Sequence, residues 1–301
     1  MKEIIFITKQ GVKLKRKDNQ IIAVLNEEII ARFPINRIKK VFILGNIEIT
    51  MPAVNFLLSN NIEVYLLTNT GKFKGIITNT KLESNYNLRL KQYQLFIDDG
   101  KNLQGAKYFV LKKIENIEKF IQYNLDELKN ALILSNSYNE ILGIEGTASS
   151  IFFSAFKERL NDKNLGFNKR EYRPANDPVN ALLSFSYSLF YSLLFSILQA
   201  KGFDVYIGYL HKKRGTHAVF VSDFIEIFRV DISNFVLLIF NNKILTKDDF
   251  DRTSNGVYLK QESLKKFLEV FKGNFIDNKK YLIQADKEIS DFSEFLDKNT
   301  K

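Results

Sequence analysis

The stretch Thr78-Asn-Thr-Lys-Leu-Glu-Ser84 decides the fold, because the spacing of apolar residues differs on its two sides. Before it, short runs rich in Ile, Val, Leu and Phe recur at residues 4–8, 21–25, 40–44, 63–67 and 73–77. Gly11, Asp18-Asn19, Gly45-Asn46 and Thr70-Gly71 separate them. Runs of this kind between turn residues read as strands. One helix interrupts them over residues 52–59, with Pro52 in a first turn that tolerates a missing N–H. After the stretch, Leu88, Leu90, Tyr93, Leu95 and Phe96 begin a helical period. Tyr108, Leu111, Ile114, Ile117, Phe120 and Ile121 continue it at spacings of three and four. The pattern predicts an α+β chain, with a small β-rich N-terminal domain over 1–77, a linker over 78–84 and a larger all-helical domain over 85–301. Within the last part, the polar residues 247–256 read as a loop, and the C-terminal end reads as amphipathic helix.

Composition narrows the chemistry. Of 301 residues, 45% are apolar, enough for a large core and too many for wholesale disorder. There is no cysteine, which excludes disulfides, thiolate zinc sites and cysteine nucleophiles. The only histidines are His211 and His217, so multi-histidine metal clusters are excluded too. Lys and Arg outnumber Asp and Glu by 44 to 34, a net charge of +10. More than half of that excess lies in residues 1–77. The balance fits a polyanionic partner, nucleic acid or an anionic membrane surface, or else a lysine-rich composition kept for solubility. The N-terminus lacks the run of about 7–15 apolar residues that a secretory signal needs, and the expectation is a cytoplasmic protein. Residues 179–200 carry no charge and are long enough to cross a bilayer. Asn180, Gln199 and five serines interrupt that segment, which reads as a buried core helix with no membrane partner.

Chemistry has three candidate locations. The first is Ser137-Tyr-Asn-Glu140, a capping box opening a helix that contains Gly143, Glu145 and Gly146. Helical glycines suit a close approach to the backbone, and a lone carboxylate among small residues wants a cation or a donor. A surface glutamate beside a tight helix crossing explains the pattern equally well. The second is Arg170-Glu-Tyr-Arg-Pro-Ala-Asn-Asp-Pro178, in which Asp177 is an N-cap and Pro178 a first helical residue. Arg170 and Arg173 suit phosphate contacts, or a solvated loop. The third is Gly208-Tyr-Leu-His211-Lys-Lys-Arg214 followed by Asp223-Phe-Ile-Glu226-Ile-Phe-Arg229. Asp223 and Glu226 share a helix face, and their repulsion is lessened by a bound cation or by Arg229. One imidazole with two or three carboxylates suits Mg²⁺ or Mn²⁺ rather than structural zinc. Beside Lys212, Lys213 and Arg214 that set suggests metal-assisted work on a phosphodiester. A salt-bridged helix remains the alternative.

In this order the motifs resemble those of the CRISPR-associated spacer-integration endonuclease, the first core protein of CRISPR systems. Phe6-Ile-Thr-Lys-Gln-Gly11, Val41-Phe-Ile-Leu-Gly45 and Asn61-Ile-Glu-Val-Tyr-Leu66 are similar to that family's β domain. Gly143-Ile-Glu-Gly146, Asp177-Pro-Val-Asn180, Gly208-Tyr-Leu-His211 and Asp223-Phe-Ile-Glu226 are similar to its helical motifs. The resemblance implies a divalent metal, Mg²⁺ or Mn²⁺, held by Glu145, His211 and Glu226. Asp223 would complete the catalytic set, either at the metal or by orienting His211. It implies an endonuclease and integrase that inserts captured DNA as spacers by transesterification at repeat boundaries. It also implies a homodimer formed through the β domain, and a small ferredoxin-like second core protein as partner. Arg170, Arg173, Lys212, Lys213 and Arg214 are the expected phosphate contacts. A structure-selective nuclease on branched DNA or RNA, or a non-catalytic DNA-binding scaffold, are the alternatives.

Overall fold

The computed structural model describes the whole chain except residues 1, 2, 70, 72, 80–85, 173, 213, 214, 216 and 301, and the side chains of 279, 280 and 282. The expected linker therefore lies outside the described residues from Thr80 onward. Contacts divide the chain into two units, residues 1–82 with 259–279, and residues 83–258 with 280–301.

The first unit opens with β1 (Glu3–Ile7), β2 (Lys13–Lys17), β3 (Gln20–Leu25), β4 (Glu28–Pro34), β5 (Ile38–Leu44) and β6 (Glu48–Ile49). Helix α1 (Met51–Ser59), β7 (Glu63–Leu67) and β8 (Phe73–Ile77) follow. One sheet runs β1-β5-β7-β8, with the first three strands parallel and β8 antiparallel at the edge. The other runs β4-β3-β2-β6. Alternation along β5 explains the core. Val41 and Ile43 join Ile7, Leu14, Ile21, Ala23, Leu57 and Val64 in one cluster. Phe42 points to the opposite face, where its ring lies 5.1 Å from Phe6 and stacks on Tyr65 at 4.7 Å. From Val41 to Leu44 both faces of this strand are buried, so that part reads as an unbroken apolar run. The apolar spacing does not reveal β2, β4 or β6. β2 (Lys-Leu-Lys-Arg-Lys) buries only Leu14, so its apolar signal is a single residue.

The second unit contains α2 (Tyr86–Ile97), α3 (Asp99–Ile121), α4 (Asp126–Leu134), α5 (Tyr138–Arg159), α6 (Pro178–Ala200) and α7 (Val219–Asn241). The β9–β10 hairpin (Phe250–Thr253, Gly256–Leu259) comes next in the chain, with Leu259 already assigned to the first unit. This hairpin corrects the loop expected over 247–256. Phe250 is its one buried residue on β9, and Ser254-Asn255 make a two-residue turn held by Asn255 N–H donating to Thr253 Oγ1 at 3.1 Å. Helix α8 (Gln261–Lys272) belongs to the first unit and lies along β1, where Gln261 donates to Thr8 O at 2.7 Å and Lys272 reaches Glu3 at 3.3 Å. The helical part is thus not one block over 85–301. Helix α9 (Lys279–Asn299) returns to the second unit from residue 280.

α6 is the uncharged segment. Among the described residues it is the one helix long and apolar enough to cross a membrane, yet 72% of its most apolar window is buried inside the protein. Asp177 caps it as predicted, accepting from Asn180 N–H at 2.8 Å. Around it, α7 packs on α6, and α3 packs on both α7 and α5.

Candidate active site

Three helices and one loop converge in the second unit. Ser137 caps α5 by accepting from Glu140 N–H at 3.3 Å, and Glu140 reaches back to Asn136 N–H at 2.7 Å. That cap fixes the start of the helix carrying Glu145 two turns on. The flanking glycines, Gly143 and Gly146, are not approached by other parts of the chain, since a Cβ there meets nothing within 4 Å.

α7 carries Asp223, Glu226 and Arg229. Asp223 is wholly buried, and each of its oxygens is committed to the loop before α7. Oδ2 accepts from Tyr209 N–H at 2.5 Å and Leu210 N–H at 3.1 Å. Oδ1 accepts from His211 N–H at 2.9 Å and lies 2.7 Å from His211 Nδ1. Asp223 thus accepts from three backbone amides and lies beside one imidazole nitrogen, so both of its oxygens are engaged in holding the loop and the His211 ring. Gly208 permits this approach, because a Cβ there would stand 2.9 Å from both Asp223 Oδ2 and Val219 Cγ2.

With Nδ1 bound to Asp223, the remaining ring nitrogen of His211 faces Glu226, with Nε2 to Oε1 at 3.7 Å. Glu226 Oε2 accepts from Arg229 Nε at 2.6 Å and from Lys113 Nζ at 2.7 Å. Lys113, from α3, also donates to Glu145 Oε1, which accepts from Ser149 Oγ at 3.0 Å. Glu145 and Glu226 thus meet across one buried ammonium. Burial alone would raise the Glu226 carboxyl, but the charges of Arg229, Lys113 and His211 hold it down at about 2. Burial alone would lower Lys113 and His211. The two glutamates raise Lys113, and Asp223 with Glu226 raises His211.

The structure therefore brings together Glu145, His211, Asp223 and Glu226. It adds Lys113 and Ser149, which the sequence reading missed, and gives Arg229 the charge-relieving role foreseen for it. The signal for Lys113 is its position. The buried stripe of α3 runs Phe109, Val110, Lys113, Ile117 and Phe120, so a lysine occupies a core position and requires buried anions. Of the expected phosphate contacts, Arg173, Lys213 and Arg214 lie outside the described residues, and Lys212 is exposed. Arg170 is occupied within the fold. Its guanidinium donates to Asn180 Oδ1 at 2.9 Å and Ser184 Oγ at 3.0 Å, and lies 4.4 Å from the Tyr172 ring centre. His217 stacks on Tyr191 at 5.1 Å and lies 2.6 Å from Ser222 Oγ.

Do these residues fit a divalent ion? The donors are two carboxylates and an imidazole with one nitrogen fixed, the oxygen-rich set that Mg²⁺ and Mn²⁺ take. They already enclose a positive charge. Among the described residues, no three acidic or histidine side chains stand in ligating range of one another, and the glutamates grip Lys113 instead. The chemistry of the donors fits the ion.

The chain joins a β-rich unit to a helical unit that holds this cluster, and comparison with known families puts it among the CRISPR-associated proteins. Specifically, it belongs to the Cas1 family, whose model, CRISPR associated protein Cas1, matches residues 5–273. A CRISPR-associated endonuclease Cas1 of Thermodesulfovibrio yellowstonii is 32% identical over 89% of each chain. The fold is similar to a CAS1 protein from Thermotoga maritima, with a TM-score of 0.87, 23% identity and coverage of 98% and 97% of the two chains. It is also similar to a casposase solved bound to an integration product, with a TM-score of 0.86, 21% identity and coverage of 100% and 94%.

Proposed function

We propose that this protein is a metal-dependent DNA endonuclease and strand-transfer integrase that joins captured DNA fragments to a CRISPR array as new spacers. The observation that supports this most directly is that Lys113 links Glu145 of α5 to Glu226 of α7, while His211 Nε2 from the loop lies 3.7 Å from Glu226 Oε1. Glu145 and Glu226 would hold the ion through carboxylate oxygens, and His211 through Nε2. When bound, Mg²⁺ or Mn²⁺ supplies Lewis-acid stabilisation of charge on the phosphodiester oxygens. Asp223 keeps the imidazole in one tautomer and aims it. The open backbone at Gly143 and Gly146 leaves room beside Glu145 for a strand to approach. A 3′-hydroxyl attacking a repeat-boundary phosphodiester gives joining, and water attacking instead gives cleavage. The proposed partners are DNA, a second copy of this chain through the β-rich unit, and the small ferredoxin-like core protein of the family.

The test is to measure joining and gel-shift binding side by side with His211→Ala. Joining on a supercoiled repeat-bearing target should disappear while DNA binding persists. EDTA should stop the wild-type reaction, and Mn²⁺ should restore it. Full joining by His211→Ala, or joining that survives chelation, removes the metal-site reading. Cleavage of branched DNA without any joining favours the structure-selective nuclease.

A further inference from the structure

The four carboxylate oxygens of Glu145 and Glu226 are not equivalent. Oε1 of Glu145 accepts from Lys113 and from Ser149. Oε2 of Glu226 accepts from Lys113 and from Arg229. The other oxygen of Glu226, Oε1, faces His211 Nε2 at 3.7 Å. The other oxygen of Glu145 receives none of the hydrogen bonds found among the described residues. One ammonium thus holds one oxygen of each carboxylate and leaves the second oxygen of each outside its grip, that of Glu226 facing His211. The Lys113 side chain is 4% exposed and rises from a helix whose neighbouring buried residues are apolar, so its ammonium has little freedom to move away.

We infer that Lys113 is a positioning residue, a clamp that fixes the rotamers of Glu145 and Glu226 so that their second oxygens and His211 Nε2 present themselves together to a divalent cation. This inference rests on the metal-site reading above. The rival role is a filler that occupies the cation's place and competes with it. The two roles predict opposite signs. Removing a clamp weakens ion binding, because groups that orient ligands are typically worth about 10- to 100-fold in metal affinity. Removing a competitor tightens it.

The experiment is calorimetric titration of the full chain with MnCl₂, comparing wild type with Lys113→Met, Lys113→Arg and Ser149→Ala. Circular dichroism and thermal melting without metal show whether each variant is folded. A clamp gives a dissociation constant raised about 10- to 100-fold in Lys113→Met. Lys113→Arg, which still donates to both carboxylates, should recover most of the loss. Ser149→Ala removes only the second donor to Glu145 Oε1 and should raise the constant less than Lys113→Met. Unchanged or tighter Mn²⁺ binding by a folded Lys113→Met overturns the clamp and leaves the metal site standing. If Lys113→Met does not fold, Lys113→Gln decides, because it removes the charge and shortens the side chain that holds both carboxylates, and wild-type affinity in that folded variant overturns the clamp. Failure of wild type itself to bind Mn²⁺ overturns both the clamp and the metal-site reading.

Discussion

Glu226 faces three basic groups at once. Its carboxylate is 1% exposed and faces Lys113 from α3, His211 from the loop and Arg229 from its own helix. Its folded-state value, about 2, lies below the ordinary 4.5. A depressed carboxylate stabilises the fold fully above its unfolded value and loses that contribution as pH falls through the folded one. Wild type should therefore lose melting temperature as pH drops from about 4.5 toward about 2. Glu226→Gln should be less stable at neutral pH and show a flatter profile in that window, and parallel profiles for the two proteins would refute the assignment. Glu145, His211, Asp223 and Glu226 were legible in the sequence because motif order carried them. Lys113 was not, because a helix-period reading records apolar positions and passes over a lysine standing among them. The division of labour between Asp223 and Glu226 was illegible for a different reason. Spacing puts both on one helix face, and only the fold shows that one turns to backbone amides and the other to cations.

At the scale of elements, the start of α6 shows how a polar residue can be central to an apolar helix. Asn180 is fully buried. Its Oδ1 accepts from Arg170 Nη1 and Glu171 N–H, each at 2.9 Å, and its Nδ2 donates to Lys169 O and Asp177 Oδ2. It ties the loop before α6 to the first turn of the helix. Asn180→Ala leaves two donors without their acceptor, at roughly 1–3 kcal/mol apiece. Urea denaturation should show a loss of about 2–6 kcal/mol, larger than the roughly 1 kcal/mol expected from removing an ordinary N-cap. A loss below about 1 kcal/mol would mean that water replaces these bonds. The cap itself was readable from Asp177-Pro178, since both residues act within one turn. The role of Arg170 was not, because its partners Asn180 and Ser184 lie across the loop, and a basic loop residue looks the same whether it faces solvent or the fold.

On the whole molecule, the +10 charge predicts salt-sensitive association with DNA. Each neutralised phosphate on a duplex contributes about −0.9 to the slope of log affinity against log salt. A slope of about −3 or steeper between 50 and 200 mM salt, the signature of several phosphate contacts, is the expected gel-shift result. A flat dependence would mean that the excess lysine serves solubility. The α+β order was legible because the apolar period changes once, near residue 78. The return of α8 to the first unit was not, since an amphipathic helix carries no mark of which sheet or helix it will cover. That return means the polymer passes between the units after residues 82, 258 and 279. No single scission can release either unit intact. A fragment ending near residue 82 would lack its own helix, and the remainder would carry that helix without the sheet it belongs to. The two units are interleaved along one polymer, so a single cut that removes one also damages the other.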